Sequence, residues 1–167
     1  LSIAQIGLDI SENQDNIKDI SEHKAKVAYS TLCRPVICDD SGLVIPSLKG
    51  WPGVKVGREL DRMGEDKFAE LFKDNPRDAY FVMAVTYNDA TLSKPKTFIS
   101  KVEGKLIYES KGDVNKPFVK NKILAGRFIP NGQTKTIAEL TEEEYKRDAT
   151  TDRWNELNDF LINKNRK

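Results

Sequence analysis

Apolar positions recur at two different periods along this chain, and each period predicts a different element. Ile3 to Ile10 reads as a strand, and polar Ser11 to Asp15 as a turn. Asp15 or Asn16 then caps a helix running to about Leu32, with Ile17, Ile20, Ala25, Val27, Ala28 and Leu32 on its inner face. Pro35-Val36-Ile37-Cys38 is short, apolar and β-prone. Asp39-Asp40-Ser41-Gly42 reads as a turn that ends this strand, with Gly42 free to take positive φ. Val44-Ile45 forms a brief strand before Pro46. Helices are expected from Val54 to Met63 and again after Gly64, the second with Phe68, Leu71 and Phe72 inward and Asn75-Pro76 as its stop.

Arg77 to Asn88 gives the clearest strand signal. Ala79, Phe81, Met83, Val85 and Tyr87 line one face and Tyr80, Val82 and Ala84 the other, the mark of a central strand. Further strands are expected at Lys96–Glu103, at Lys105–Glu109 after Gly104, and at Ile123–Ile129 before Pro130-Asn131-Gly132; Ser110 to Lys122 reads as a loop. Thr141 and Glu144 form a capping box, and a last helix carries Trp154, Leu157, Phe160 and Leu161. Alternating strands and helices followed by a meander predict an α/β protein with a mixed, twisted sheet flanked by helices. No internal repeat, low-complexity segment or dividing linker interrupts residues 1–167, so a single domain is expected.

The 167 residues suffice for one real core and not for two ordinary ones. A net charge of +1 gives no global electrostatic case for nucleic acid, and the basic stretch from Lys111 to Arg127 lacks interleaved aromatics. No apolar run is long enough to span a bilayer and no signal-peptide pattern is visible, so neither nucleic acid nor membrane is an expected partner and the expected location is cytoplasmic. Cys33 and Cys38 lack the companions a zinc site or disulfide framework needs and read as reduced thiols. His23 is the single histidine and sits in a charged helical stretch, which leaves little room for a Ser-His or Cys-His nucleophile.

Adjacent strand residues face opposite ways, so Asp39 and Asp40 share a ligand only where the strand breaks between them. With such a break at Ser41-Gly42, a carboxylate can hold Mg²⁺ or orient a water, and the free turn N–H groups can bind a phosphate oxygen. Taken alone, the cluster reads first as an ordinary Asx-turn that ends a strand, because short Asp/Ser/Gly clusters are common in loops.

The longer block D-D-S-G-L-V-I-P-S-L-K-G-W-P-G-V, from Asp39 to Val54, resembles the signature of the inosine triphosphate pyrophosphatase family. Asp39, Asp40, Ser41, Gly42, Leu43, Leu48, Gly50, Pro52, Gly53 and Val54 fall in register with it. The resemblance implies a long curved sheet with helices around it and two lobes around a cleft. It also implies Mg²⁺-dependent hydrolysis of deaminated purine nucleoside triphosphates such as ITP, dITP and XTP to monophosphate and pyrophosphate, by what is commonly a homodimer. Carried over residue by residue, it makes Glu12 and Asp40 the metal ligands, with Asp40 also orienting the attacking water and Asp39 the weaker catalytic candidate. It places Lys24 on the triphosphate, with Ser41 and Gly42 beside it. Outside that spacing, Glu12 and Lys24 are ordinary surface charges.

Arg58 matches an arginine a few residues after the Pro-Gly turn and reads equally as nucleotide contact or helix-surface charge. The family's G-F-G-Y-D-P segment, whose aromatic stacks on the purine, is replaced here by Val119 to Ala125, with Phe118 the nearest aromatic. Its base-reading Ser-His-Arg appears as Thr151-Asp152-Arg153. Arg147, or Lys146, stands where a phosphate-contacting lysine is usual. The family's opening strand and phosphate loop would lie before Leu1. These departures leave two other functions open: the same chemistry on another nucleotide, or non-catalytic nucleotide binding on the same fold.

Overall fold

The computed structural model describes residues 3–74, 77–119, 121–148, 152–164 and 166. Asn75-Pro76, the expected helix stop, Lys120 of the basic stretch, and Thr151 lie outside them. A helix, α1 (Ile17–Leu32), starts where Asn16 accepts a hydrogen bond from the Asp19 N–H at 2.9 Å, which satisfies one of the open amides of the first turn. Ile17, Ile20, Ala25 and Ala28 are its buried residues of the expected face, while Val27 and Leu32 are only half-buried. Cys33 ends it in the left-handed conformation. Cys33 and Cys38 are both free.

The strand that follows, β1 (Val36–Val44), does not stop at the aspartates. Asp39-Asp40-Ser41-Gly42 pairs along β3 (Arg77–Asn88) with Asp39 opposite Val85 and Asp40 opposite Ala84. The expected turn is therefore a stretch of mid-sheet strand. Gly42 is required for space rather than for a left-handed backbone: a Cβ there would lie 2.9 Å from the Gly53 carbonyl oxygen. Gly53 belongs to β2 (Pro52–Gly53), which pairs with the end of β1 after a short 3-10 turn at Pro46–Leu48. α2 (Val56–Met63) and α3 (Glu65–Glu70) come next, with Phe68 and Phe72 buried as expected.

β3 is central, flanked by β1 and by β4 (Lys96–Leu106). The two strands expected around Gly104 are one. Gly104 permits continuity because the Ile129 carbonyl crosses so close that a Cβ would sit 2.3 Å from its oxygen. Ile129 lies in β5 (Phe128–Pro130), and the strand expected from Ile123 begins as a short helix, α4 (Lys122–Ala125), capped by the Asn121 side chain. The sheet order is β2-β1-β3-β4-β5, and every pairing among the described residues is antiparallel. The α/β class is as expected; the mixing of directions is absent from these pairings. Residues 3–10, expected as a strand, form no strand and are mostly exposed, with Ile10 alone half-buried against α1 and β1.

α5 (Glu142–Asp148) opens with the expected capping box: Thr141 N–H donates to Glu144 at 2.8 Å and Glu144 N–H to the Thr141 hydroxyl at 3.1 Å. The last helix, α6 (Asp152–Lys164), packs Leu157, Phe160 and Leu161 against Val85, Tyr87 and Phe98, and leaves Trp154 turned outward. Alternation assigns the faces. Ile37, Asp39, Val85 and Ser100 lie on the side of α6; Val36, Cys38, Asp40, Thr86 and Thr97 lie on the side of α1.

The far end of α6 is held by Asp89, just past β3. Its buried carboxylate accepts from Lys164 Nζ, from the Tyr87 hydroxyl at 2.7 Å, and from the Thr91 amide and hydroxyl at 3.0 and 2.8 Å. Burial alone would raise the carboxyl's pKa, but those donors outweigh it and hold it far below 3.8. Burial and the same carboxylate push the Tyr87 phenol well above its ordinary value.

Gly104→Ala should lose about 1–3 kcal/mol in denaturant unfolding by forcing backbone apart. Gly57→Ala, in α2 with nothing within 4 Å of its added methyl, should gain about 0.5–1 kcal/mol; a harmless Gly104→Ala would remove the close-approach argument. Because the native Asp89 value is depressed, its contribution is present above pH 3.8 and disappears as pH falls below it. The stability gap between wild type and Asp89→Asn should therefore shrink as unfolding is measured at progressively lower pH, and a gap that stays constant would contradict the assignment.

Candidate active site

Lys24 points from α1 toward β1 and meets two carboxylates at once. Its Nζ is 2.6 Å from Asp40 Oδ2 and 2.6 Å from Glu12 Oε1. Arg58 of α2 approaches the other Glu12 oxygen at 3.6 Å. All three members of the central triad are half-buried, with side-chain exposures of 22% for Lys24, 30% for Glu12 and 17% for Asp40, so the cluster is partly desolvated yet reachable. Burial works to lower the Lys24 pKa; the hydrogen bonds and charges of Asp40 and Glu12 outweigh it and hold the ammonium above the ordinary lysine value. Asp40 also accepts from the Ser41 amide at 2.8 Å, which fixes its carboxylate plane. Cys38, on the same face, has its thiol pushed up mainly by burial, with Lys24 opposing and Asp40 assisting.

The residues picked from spacing thus meet: Glu12, Lys24, Asp40 and Arg58 are one cluster, with Ser41 bonded to it and Gly42 packed beneath it against Gly53. Among the described residues no group of three or more His, Cys, Asp or Glu side chains is placed to hold a metal ion. The donor set is two carboxylates gathered around one ammonium. That suits a hard cation such as Mg²⁺, which usually takes one or two protein carboxylates and fills its remaining positions with phosphate oxygens and water.

Asp39 and Arg153 form a second cluster on the opposite face. The buried Arg153 guanidinium donates from Nε to Asp39 Oδ1 at 3.2 Å and from Nη2 to Oδ2 at 3.4 Å, with Nη1 3.5 Å from the Ser100 hydroxyl. The expected strand break is missing, so Asp39 cannot join Asp40 at one ligand. Phe118 stacks on Tyr145 of α5, centroids 5.1 Å apart, and thereby anchors its loop. The Tyr145 phenol is raised chiefly by burial, with Arg153 lowering it and Asp39 raising it, which puts this aromatic pair beside the second cluster. Nothing in the local sequence singles out Tyr145 or Ser100; both join through chain-distant contacts. Asp152 is exposed at the start of α6, and Arg147 is exposed in the last turn of α5. Neither belongs to the Lys24 cluster.

Hollows of about 550 and 510 Å³ open elsewhere, one beside Pro46 and Arg77 and the other beside Glu70 and Arg127, and neither is lined by Lys24, Glu12 or Asp40. The charged cluster is half-buried and is shaped by α1, β1 and the segment carrying Glu12. No helix among the described residues is long and apolar enough to cross a membrane.

The Ham1 family model matches residues 2–152. The chain is 36% identical over 144 residues to the dITP/XTP pyrophosphatase of Saccharolobus solfataricus, covering 84% of this chain and 70% of that relative. It is 32% identical over 139 residues to the inosine triphosphate pyrophosphatase of Yarrowia lipolytica, covering 81% and 69%. A solved Ham1 protein structure from Coxiella burnetii has a TM-score of 0.77 to it at 22% identity, covering 94% of this chain and 81% of that one, a likeness of fold.

Breaking the second cluster should register in stability. Asp39→Ala leaves the buried Arg153 guanidinium short of its main acceptor and should cost about 1–3 kcal/mol in urea unfolding. A loss within about 0.5 kcal/mol, the range of ordinary surface substitutions, would mean that the pair does not hold α6 to the sheet.

Proposed function

This chain belongs to the Ham1 family, and we propose that it performs the chemistry for which its curated relatives are named, hydrolysing dITP, XTP and ITP to the monophosphate and pyrophosphate. It is a hydrolase acting on a phosphoric anhydride. The observation that carries the site assignment is the Lys24 ammonium shared at 2.6 Å between Glu12 and Asp40. A triphosphate brings several negative charges, and Lys24 offers a cation for them at the point where Glu12 and Asp40 meet. Arg58 adds a second cation at the rim of the cluster.

In this proposal Glu12 and Asp40 hold Mg²⁺, which supplies charge neutralisation at the triphosphate when bound. Asp40 orients the attacking water, and its plane is set by the Ser41 amide. Asp39 is a positioning group: it holds Arg153 and through it the start of α6. The protein acts in the cytoplasm as a homodimer, and without a nucleic-acid or membrane partner.

A second reading, the same cleavage on another nucleotide, draws on one observation: Arg153 is already engaged by Asp39, with Asp152 rather than histidine beside it. Pyrophosphate release from XTP, dITP, ITP, ATP and GTP with and without Mg²⁺ decides. Turnover should favour the deaminated purines and require the cation, and a clear preference for ATP or GTP would transfer support to the second reading. Asp40→Asn should lower kcat by about 10²-fold or more, the usual scale for losing a positioned acid–base group. Equal turnover by wild type and Asp40→Asn would remove Asp40 from the reaction.

A further inference from the structure

α1 does not rest on the sheet through apolar contacts alone. Ser21 and Thr86 are both fully buried at that interface, their hydroxyl oxygens 2.7 Å apart. Thr86 Oγ1 is 2.9 Å from Thr97 Oγ1 on β4, and Thr97 Oγ1 lies 3.4 Å from Glu22 Oε1. At the other end the Ser21 hydroxyl reaches the Cys38 carbonyl, also at 3.4 Å. Three hydroxyls therefore tie α1 to β1, β3 and β4 in one continuous chain. Each hydroxyl has one proton, so three protons serve four links, and the donors run either toward the Cys38 carbonyl or toward the Glu22 carboxylate.

Such a chain does something that alanine and valine at these positions would not. Dispersion contacts are non-directional and survive a small slide of helix over sheet. Hydrogen bonds weaken steeply once distance and angle depart from their optimum. Burying hydroxyls costs free energy unless they pair, so the arrangement favours the single placement of α1 in which all three find partners.

The placement lies directly behind the charged cluster. Ser21 is one turn before Lys24 on α1. Cys38 is two residues before Asp40, on the same face of β1. The Ser21 hydroxyl thus grips the helix next to the ammonium and the strand next to the carboxylate that the ammonium meets at 2.6 Å. Asn88, whose side-chain amide donates to the Ala25 carbonyl at 3.4 Å, adds a grip one residue beyond Lys24. We propose that Ser21, Thr86 and Thr97 are positioning residues that fix the height and slide of α1 so that Lys24 is held on Asp40. They touch no substrate; the activity part of this inference rests on the pyrophosphatase function above.

Thr86→Val keeps the shape and removes the central hydroxyl, while Thr86→Ser keeps the hydroxyl. Both are compared with wild type by pyrophosphate release from XTP, and by the rate at which acetyl N-hydroxysuccinimide modifies Lys24 relative to exposed Lys26 in peptide mass spectra without nucleotide. For folded protein, checked by circular dichroism, Thr86→Val should lower kcat about tenfold with little change in KM, a modest share of what misplacing a reacting group can cost. It should also raise the Lys24 modification ratio severalfold, and Thr86→Ser should restore both. An unchanged Lys24 ratio in folded Thr86→Val overturns the inference, as does a Thr86→Ser variant as impaired as Thr86→Val. If Thr86→Val does not fold, Ser21→Ala at the chain's other end takes its place under the same criteria. Absence of any XTP turnover by wild type would count against the proposed function, and the lysine ratio would still decide the positioning role.

Discussion

The two-residue period of β1 governs which groups can meet. A strand that continues through Asp39-Asp40-Ser41-Gly42 must send its neighbouring carboxylates to opposite sides of the sheet. Each then needs its own cation, because a half-buried charge without one is costly. α1 brings Lys24 to Asp40 and α6 brings Arg153 to Asp39. The two helices are thereby tied to one strand by charge as well as by apolar packing, and the chemistry divides along the same line. The face with Glu12, Lys24 and Asp40 has the makings of a polyphosphate and cation site. The other face has an arginine held by a carboxylate, and an aromatic stack.

Long, strongly periodic segments were legible before any fold was known. The helix from Ile17, the central strand from Arg77 and the Thr141–Glu144 capping box stand where the pattern puts them. The misplaced elements share one cause, which is that local composition does not count long-range partners. Asp and Ser favour turns because their side chains find hydrogen bonds there, and Gly because it tolerates positive φ; the backbone ladder to β3 outweighs both preferences. Gly104 looks like a strand break and is in fact the gap through which Ile129 passes. Ile3 to Ile10 has strand-like residues and no strand partner among the described residues.

Within the site, Glu12, Lys24, Asp40 and Arg58 were identifiable because their spacing matched a family pattern, and the structure gathers them. The pairing of Asp39 with Arg153 was not visible, since it depends on the strand running on and on α6 crossing behind it. Tyr145, Ser100 and the hydroxyls of Ser21 and Thr86 carry no local signature. Their partners lie far along the chain, and only the sheet register brings them together.

The chain has two tryptophans, and the fold sets them in different surroundings. Trp51 packs against Phe68, ring centroids 6.3 Å apart, at the margin of the core under β1. Trp154 is turned outward on α6, 5.6 Å from the Arg153 guanidinium. Their emission is accordingly separable by wavelength and by accessibility: iodide or acrylamide reaches the outer indole first, and the inner one shifts to the red only when the core opens. Without any added dye, light reports on melting through one ring and on events around the arginine through the other.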